Sequence, residues 1–395
     1  MTGQPATTKA LGTGHNQDSA GQKAPFLVTA GGTGGHLFPA VALGMALIKR
    51  GHAVGLVTDR RGKAFSAMIE GDFADTPTYR IDAASPSGNL FNKVTGAISL
   101  MRGFFQAKKL MRSVRPRAVI GFGGYASVPS CMAARHAGVP VILHEQNAVM
   151  GRANRLVAQR AKMIFTSFPK TAGLQPQCQS QFVGNPVRAP FLQAAAQAYP
   201  PITESGILRL LVVGGSQGAR IFADILPGAI AKLPAALQQR LHITQQTREE
   251  DMERCQAAYD ALSIKADLSP FIGAMAQQMA QAHLLICRCG ASTLSEVTAV
   301  GRPAILVPYP YAMDNHQEAN AQALASAEGG WLMVQKGWEK EASEIFTVEA
   351  LAEKLFSLLS NPEKLGQAAV ASQQFAQINA ADQMAKTLES LFSEA

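Results

Sequence analysis

The stretch Phe26-Leu-Val-Thr-Ala-Gly31-Gly-Thr33-Gly-Gly35-His36 runs from a short apolar segment straight into a cluster of glycines, and the residues after it have helical spacing. An apolar run without alternation reads as a strand buried on both faces. Glycine lets the chain turn with positive φ and lets the backbone approach a ligand closely. The helix start that follows offers free N–H groups and a partial positive charge. Strand, glycine loop and helix together form a phosphate cradle. A single such loop is equally well a tight βα turn. This one returns, about one domain's length further on, as Leu210-Leu-Val-Val-Gly214-Gly-Ser216-Gln-Gly218. A third glycine loop, Gly121-Phe-Gly-Gly-Tyr-Ala126, lies between them.

Further apolar runs recur at Ala53–Val57, Ala118–Gly121, Val139–Leu143 and Met163–Thr166, and in the second half at Leu208–Val213, His242–Gln245, Leu284–Cys287, Ala304–Val307 and Gly330–Val334. Helix-like segments separate them. Two successive sets predict an α/β chain of two Rossmann-like, doubly wound parallel-sheet domains. A length of 395 residues fits two cores better than one. The expected division is a disordered extension over 1–23, a first domain over 24–186, a linker over 187–206, a second domain over 207–375, and a C-terminal helix over 376–395 that in such folds crosses back to the first domain. The extension lacks the apolar centre of a signal peptide.

Composition narrows the function. The net charge of +8 suits phosphate-bearing substrates, anionic lipid or nucleic acid. No basic run is interleaved with aromatics in a nucleic-acid motif. The five cysteines are scattered without a C-x-x-C pair, which indicates neither a disulfide framework nor a zinc ribbon. No run is long and apolar enough to span a bilayer. The second glycine loop fits G-x-G-x-x-A, with Glu145 beyond it. It follows several strands rather than the first, which counts against a dinucleotide oxidoreductase. No G-K-[ST], H-E-x-x-H or D-x-D occurs. Without D-x-D, backbone amides, a helix dipole and an arginine must neutralise a departing diphosphate. No metal and no cofactor are therefore expected.

Seven motifs in order resemble the MurG family of bacterial UDP-N-acetylglucosamine transferases. They are Gly31-Gly-Thr-Gly-Gly-His36, Gly123-Gly-Tyr125, His144-Glu-Gln-Asn147, Gly184-Asn-Pro-Val-Arg188, Gly214-Gly-Ser-Gln-Gly-Ala-Arg220, Gly290-Ala-Ser-Thr-Leu-Ser-Glu296 and Asp314-Asn-His-Gln317. The resemblance runs from Phe26 to about Ala325. It implies a GT-B fold whose two domains face across a cleft, and inverting transfer of N-acetylglucosamine from UDP-GlcNAc to the muramyl 4-hydroxyl of lipid I, giving lipid II of peptidoglycan. Glu296 would accept from both ribose hydroxyls, although Thr293-x-x-Glu296 also reads as a capping box. Ser216 would bind the α-phosphate, and the helix start over Ala291, Ser292, Thr293, Leu294 and Ser295 would lie near it. Arg188 would meet the nucleotide as the cleft closes. Ile272 would contact uracil through its backbone. Gln317 would bind hydroxyls of the sugar, and Asn147 would reach the donor sugar or the acceptor. Thr33, Gly34 and Gly35 would border donor and acceptor, and Gly123, Gly124 and Tyr125 would cradle the acceptor's diphosphate.

His36 is the candidate base, because an imidazole titrates in the right range and its loop faces the cleft. Asn89 to Arg117 carries seven cations and no acid. Leu90, Phe91, Lys93, Arg102, Phe104, Lys108, Lys109 and Arg112 read as an interfacial helix on an anionic membrane surface. Val94, Ile98, Met101 and Phe105 share helical spacing and would form its core-facing side. The implied place is the cytoplasmic face of the bacterial inner membrane, with other cell-wall synthesis and division proteins as further partners. Three features depart from the family: Ile221-Phe222-Ala223 lacks an asparagine common there, whose contact is either absent or replaced by Asp224, Cys289 replaces the usual Ser or Ala, and the N-terminal extension is long. The rivals are a UDP-GlcNAc 2-epimerase of the same fold and a non-catalytic UDP-sugar-binding scaffold.

Overall fold

The computed structural model describes residues 24–31, 34–59, 73, 75–84, 90–215, 218–335, 337 and 344–393. The expected extension over 1–23 lies outside them. So do Thr33 and Ser216, and the side chains of Leu90 and Phe91.

Thirteen strands among these residues form two all-parallel sheets. The first holds β1 (Phe26–Thr29), β2 (Val54–Thr58), β3 (Thr78–Arg80), β4 (Ala118–Gly121), β5 (Val141–Glu145), β6 (Met163–Thr166) and β7 (Ser180–Phe182), in the spatial order 3-2-1-4-5-6-7. The second holds β8 (Leu208–Val213), β9 (Leu241–Gln246), β10 (Lys265–Ser269), β11 (Leu284–Cys287), β12 (Ala304–Leu306) and β13 (Gly330–Leu332), in the order 10-9-8-11-12-13. Each sheet reverses its strand order beside its first strand. Ligands of doubly wound sheets gather in the crevice at that point.

The apolar runs are continuous because both sheet faces are covered. Phe26 and Val28 point into one core and Leu27 into another, and the second lobe divides Leu210 and Leu211 in the same way. Each fully buried Leu or Phe contributes about 1.5–3 kcal/mol. All ten predicted runs are strands. The three missed strands, β3, β7 and β10, lie at sheet edges and are largely exposed, so they carry no apolar run.

Two segments tie the lobes together. Within 187–206, helix Ala189–Ala194 sinks Phe191 and Ala194 into the second-lobe core. The last helix, Ala380–Phe392, buries Met384, Ala385, Leu388 and Phe392 against Phe26 and Leu43 of the first lobe. Arg50 clamps it through Asp382 at 2.5 Å and Glu389 at 2.8 Å, and Arg117 donates to the Phe392 carbonyl.

Helix Leu90–Val114 reverses the expected orientation. Val94, Ile98, Met101 and Phe105 are not core: they are 51, 47, 63 and 61% exposed. The buried side of the helix is made of small residues, Gly96, Gly103 and Ala107, with Met111. A β-carbon at Gly103 would collide with the Asp82 carbonyl, so close approach selects glycine there. Phe104 is half-buried, edge-on to Phe105 and His136. Lys93, Arg102, Lys109 and Arg112 are exposed, and Lys108 is half-buried.

Candidate active site

The site begins where β1 and β4 end. Gly31 and Gly124 lie back to back, and a β-carbon on either would press within 3.0 Å of the other's backbone. Gly123 and Gly124 adopt φ of +82° and +71°, values that glycine alone tolerates freely. The Gly31 amide donates to the Gly123 carbonyl at 3.2 Å, which joins the two glycine loops into one surface. Helix Gly34–Lys49 rises from it, with His36 in its first turn.

His36 Nδ1 lies 2.6 Å from Gln146 Oε1, and Gln146 Nε2 donates to the Phe122 carbonyl at 3.0 Å. Burial holds the His36 pKa below the ordinary histidine range, against the pull of Gln146 and Glu145. Next along, the buried Glu145 carboxylate accepts from the Asn147 amide at 3.0 Å, the Gly151 amide at 2.9 Å and Asn154 Nδ2 at 2.8 Å. This carboxylate organises the loop leaving β5.

The second lobe supplies the facing wall. Helix Ala291–Val300 starts after β11, and its N-terminal amides face the gap between lobes. Ser292 Oγ crosses that gap to donate to the Gly35 carbonyl at 3.2 Å. The helix starts at Ala291 with Gly290 as its cap, so Thr293 lies inside it and the Thr293–Glu296 capping box does not form. Ser295 Oγ bonds back to the Ala291 carbonyl, and Leu294 is packed in the core. Glu296 Oε1 accepts from Arg188 Nε at 3.0 Å and Nη2 at 2.7 Å. The Arg188 guanidinium also lies 4.3 Å from the Phe38 ring centroid and 4.8 Å from that of Phe191. Burial pushes the Glu296 carboxyl up, opposed by Arg188. A shallow recess between the lobes is lined by Phe38, Arg188, Ser292, Ser295 and Glu296.

Gln317 stands in the first turn of helix His316–Ser326. Its Oε1 accepts the Cys289 amide at 3.1 Å and the Tyr309 amide at 3.0 Å, which commits the oxygen and leaves the NH2 group for a ligand. One helical turn on, the buried Asn320 bridges the lobes: Oδ1 accepts the Ala148 amide at 2.8 Å, while Nδ2 donates to Asn147 Oδ1 at 3.0 Å and to the Cys289 carbonyl at 3.1 Å. Asp314 adds an interlobe pair with Arg152 at 2.9 Å. Ile272 has its side chain in the core, which leaves its backbone to present. Tyr125 is half-buried at the end of its glycine loop. Cys289 is fully buried, and burial drives its thiol well above the usual range. Asp224 pairs with Arg254.

The structure therefore brings His36, Gly123, Gly124 and Asn147 of one lobe to face Arg188, Ser292, Glu296 and Gln317. Gln146 and Asn320 join them without a sequence signal of their own, and Glu145, noted only as the acid beyond the second glycine loop, joins as the organiser of the β5 loop. Gln146 stood inside the quoted His144–Asn147 motif. Asn320 lies three residues past Gln317, on the same helical face.

Two parallel-sheet lobes opposed across such a cleft, each offering a glycine loop or helix start to it, define the GT-B class of sugar-nucleotide enzymes. Residues 26–166 match the glycosyltransferase family 28 N-terminal domain and residues 209–388 the C-terminal domain of that family. The chain belongs to glycosyltransferase family 28, and within it to the MurG family. A relative from Paramagnetospirillum magneticum, a UDP-N-acetylglucosamine–N-acetylmuramyl-(pentapeptide) pyrophosphoryl-undecaprenol N-acetylglucosamine transferase, is 45% identical over 92% of this chain and 96% of its own. The crystal structure of Acinetobacter baumannii MurG is similar with a TM-score of 0.73 and 32% identity, covering 93% of this chain and all of that one. A UDP-GlcNAc 2-epimerase from Neisseria meningitidis, bound to UDP-GlcNAc, shares the fold at a TM-score of 0.65 but only 13% identity, over 92% of this chain and all of its own.

Proposed function

We propose that this cleft transfers N-acetylglucosamine from UDP-GlcNAc to the muramyl 4-hydroxyl of lipid I, inverting the anomeric centre and producing lipid II. The observation that carries it is the opposition, across one crevice, of the His36–Gln146 pair and the Arg188–Glu296 pair. The first suits a proton acceptor, and the second a ribose and diphosphate site. UDP is a good leaving group, so the protein must supply one base and charge stabilisation. His36 takes the hydroxyl proton as the acceptor oxygen bonds to the anomeric carbon. The bond to UDP breaks, and its electron pair leaves on the diphosphate. The Ala291–Val300 helix start and Arg188 meet that charge without a metal. Glu296 receives the ribose hydroxyls, and the Gln317 NH2 group and Asn147 receive the sugar, leaving wrong epimers unpaired. The joined loops at Gly31–Gly35 and Gly123–Tyr125 cradle the acceptor's diphosphate.

No helix among the described residues is long and apolar enough to cross a membrane. The exposed stripe Val94–Ile98–Met101–Phe105, extended one turn by Lys108, Lys109 and Arg112, supports peripheral docking on an anionic leaflet. Its place is then the cytoplasmic face of the inner membrane, beside other cell-wall synthesis and division proteins.

Labelled sugar appearing on a lipid I analogue, with and without chelator, tests the reaction. Epimerised UDP-sugar with no labelled lipid would replace this reading by the epimerase, and UDP-GlcNAc binding with neither product by the scaffold.

A further inference from the structure

A neutral imidazole can serve as a base only through the nitrogen that lacks a proton, so the tautomer of His36 decides whether it can act. We propose that Gln146 is a positioning residue that holds His36 in its Nδ1–H tautomer and thereby leaves the Nε2 lone pair for the acceptor hydroxyl; this rests on the base reading above.

The Phe122 carbonyl can only accept, so the Gln146 group 3.0 Å from it is the NH2. That orientation turns Oε1 toward His36 Nδ1, 2.6 Å away. An amide oxygen can only accept, so Nδ1 carries the ring proton and Nε2 is bare. The opposite amide orientation would set two carbonyl oxygens against each other. Nothing along the chain of contacts is free to rotate. Gln146 is 3% exposed, and the Phe122 amide is pinned to the Thr29 carbonyl of β1 at 2.8 Å. Phe122 is fully buried, its ring 5.1 Å from that of His144. The ends of β1, β4 and β5 thus fix a side chain on the helix that follows β1. The titratable groups around His36 are Glu145, which favours its protonation, His316, which opposes it, and His144, whose own protonation His36 disfavours.

In the reaction the acceptor O–H proton passes to Nε2 as the new glycosidic bond forms, and the positive charge on the ring is shared through Nδ1–H with the Gln146 oxygen. A methionine at 146 keeps the volume but neither polar end. A glutamate keeps the acceptor toward Nδ1 and adds charge, while giving up the bond to the Phe122 carbonyl.

The test is ring ¹⁵N NMR of histidine-labelled protein at about pH 8, where an ordinary histidine is neutral, with the His36 signals assigned by their loss in His36→Gln. The wild type should show a protonated Nδ1 and a bare Nε2. In Gln146→Met that signature should be lost and kcat should fall by about 10²-fold, with KM for UDP-GlcNAc nearly unchanged. Gln146→Glu should retain Nδ1–H, recover most of kcat at high pH, and move the acid limb of the kcat profile upward. A wild-type His36 protonated on Nε2 overturns the proposal, and so does a Nδ1–H signature that persists in Gln146→Met. Loss of that signature with turnover intact overturns the base reading instead and leaves the tautomer assignment standing.

Discussion

Arg188 lies along the carboxylate of Glu296 and donates to Oε1 from both Nε and Nη2. A carboxylate shielded from water needs that counter-ion, and the same carboxylate is where a ribose would bind. Arg188→Met leaves the part-buried charge unpaired, which costs about 1–3 kcal/mol. Chemical denaturation should detect it. Glu296→Gln should raise KM for UDP-GlcNAc by about tenfold or more while kcat changes less, because one ionised acceptor is lost. Steady-state kinetics with lipid I analogue saturating separates the two constants.

Asn320 makes three buried hydrogen bonds, two of them across the crevice. Asn320→Ala strands the Ala148 amide and the Cys289 carbonyl, at about 1–3 kcal/mol each. Amide exchange of the segment after β5 should speed up by one to two orders of magnitude, roughly the factor implied by such a loss. Unchanged protection would mean the lobes are joined chiefly elsewhere.

Burial lowers the His36 pKa, so the proposed base stays unprotonated to a pH below the ordinary histidine range. Activity requires the neutral ring, so the rate falls as pH falls through that lowered pKa. The acid limb of kcat/KM is therefore expected on the acid side of pH about 6.5. A limb at or above the usual histidine value would contradict it.

His144 is fully buried, its Nε2 lies 3.0 Å from the Gly184 carbonyl, and burial brings its pKa down to about 4. Between that value and about 6.5 the unfolded chain binds the proton and the folded chain does not. Stability therefore rises with pH across the window and is lost on acidification, by on the order of 3 kcal/mol from this group. His144→Gln should flatten the dependence of the denaturation midpoint on pH between 4 and 6.5.

The stripe on helix Leu90–Val114 predicts salt-sensitive liposome binding. Neutralising Lys93, Arg102, Lys108 and Arg112 removes roughly 1 kcal/mol per cation near an anionic leaflet. Met101→Glu with Phe105→Glu should abolish sedimentation with anionic vesicles while transfer to a water-soluble acceptor continues. Sedimentation that survives both sets would remove the docking surface.

Much of the fold was legible because buried parallel strands have no polar face to interrupt them. Phe26–Thr29 and Leu208–Val213 announce themselves, whereas Thr78–Arg80 and Lys265–Ser269 do not, being edge strands with water on one side. Helical spacing revealed the Val94–Phe105 stripe but not which side of the helix faced the protein. Gly96, Gly103 and Ala107 settled that by permitting close approach, and small residues give no periodic signal. In the site, glycine loops and the single histidine after them were conspicuous. Gln146 and Asn320 were not, because an isolated buried amide looks in sequence like any surface polar residue until its partners are assembled around it.

The last helix has a consequence for how the molecule is made. Arg50 and Glu389 pair across 339 positions. Translation finishes the first sheet about 200 residues before it delivers Ala380–Phe392, roughly 10–40 s at ordinary elongation rates. During that interval the nascent first lobe bares the apolar strip that Met384, Leu388 and Phe392 will later cover. The half that carries His36 thus emerges from the ribosome unfinished, and only the arrival of the carboxyl-terminal turns covers that strip.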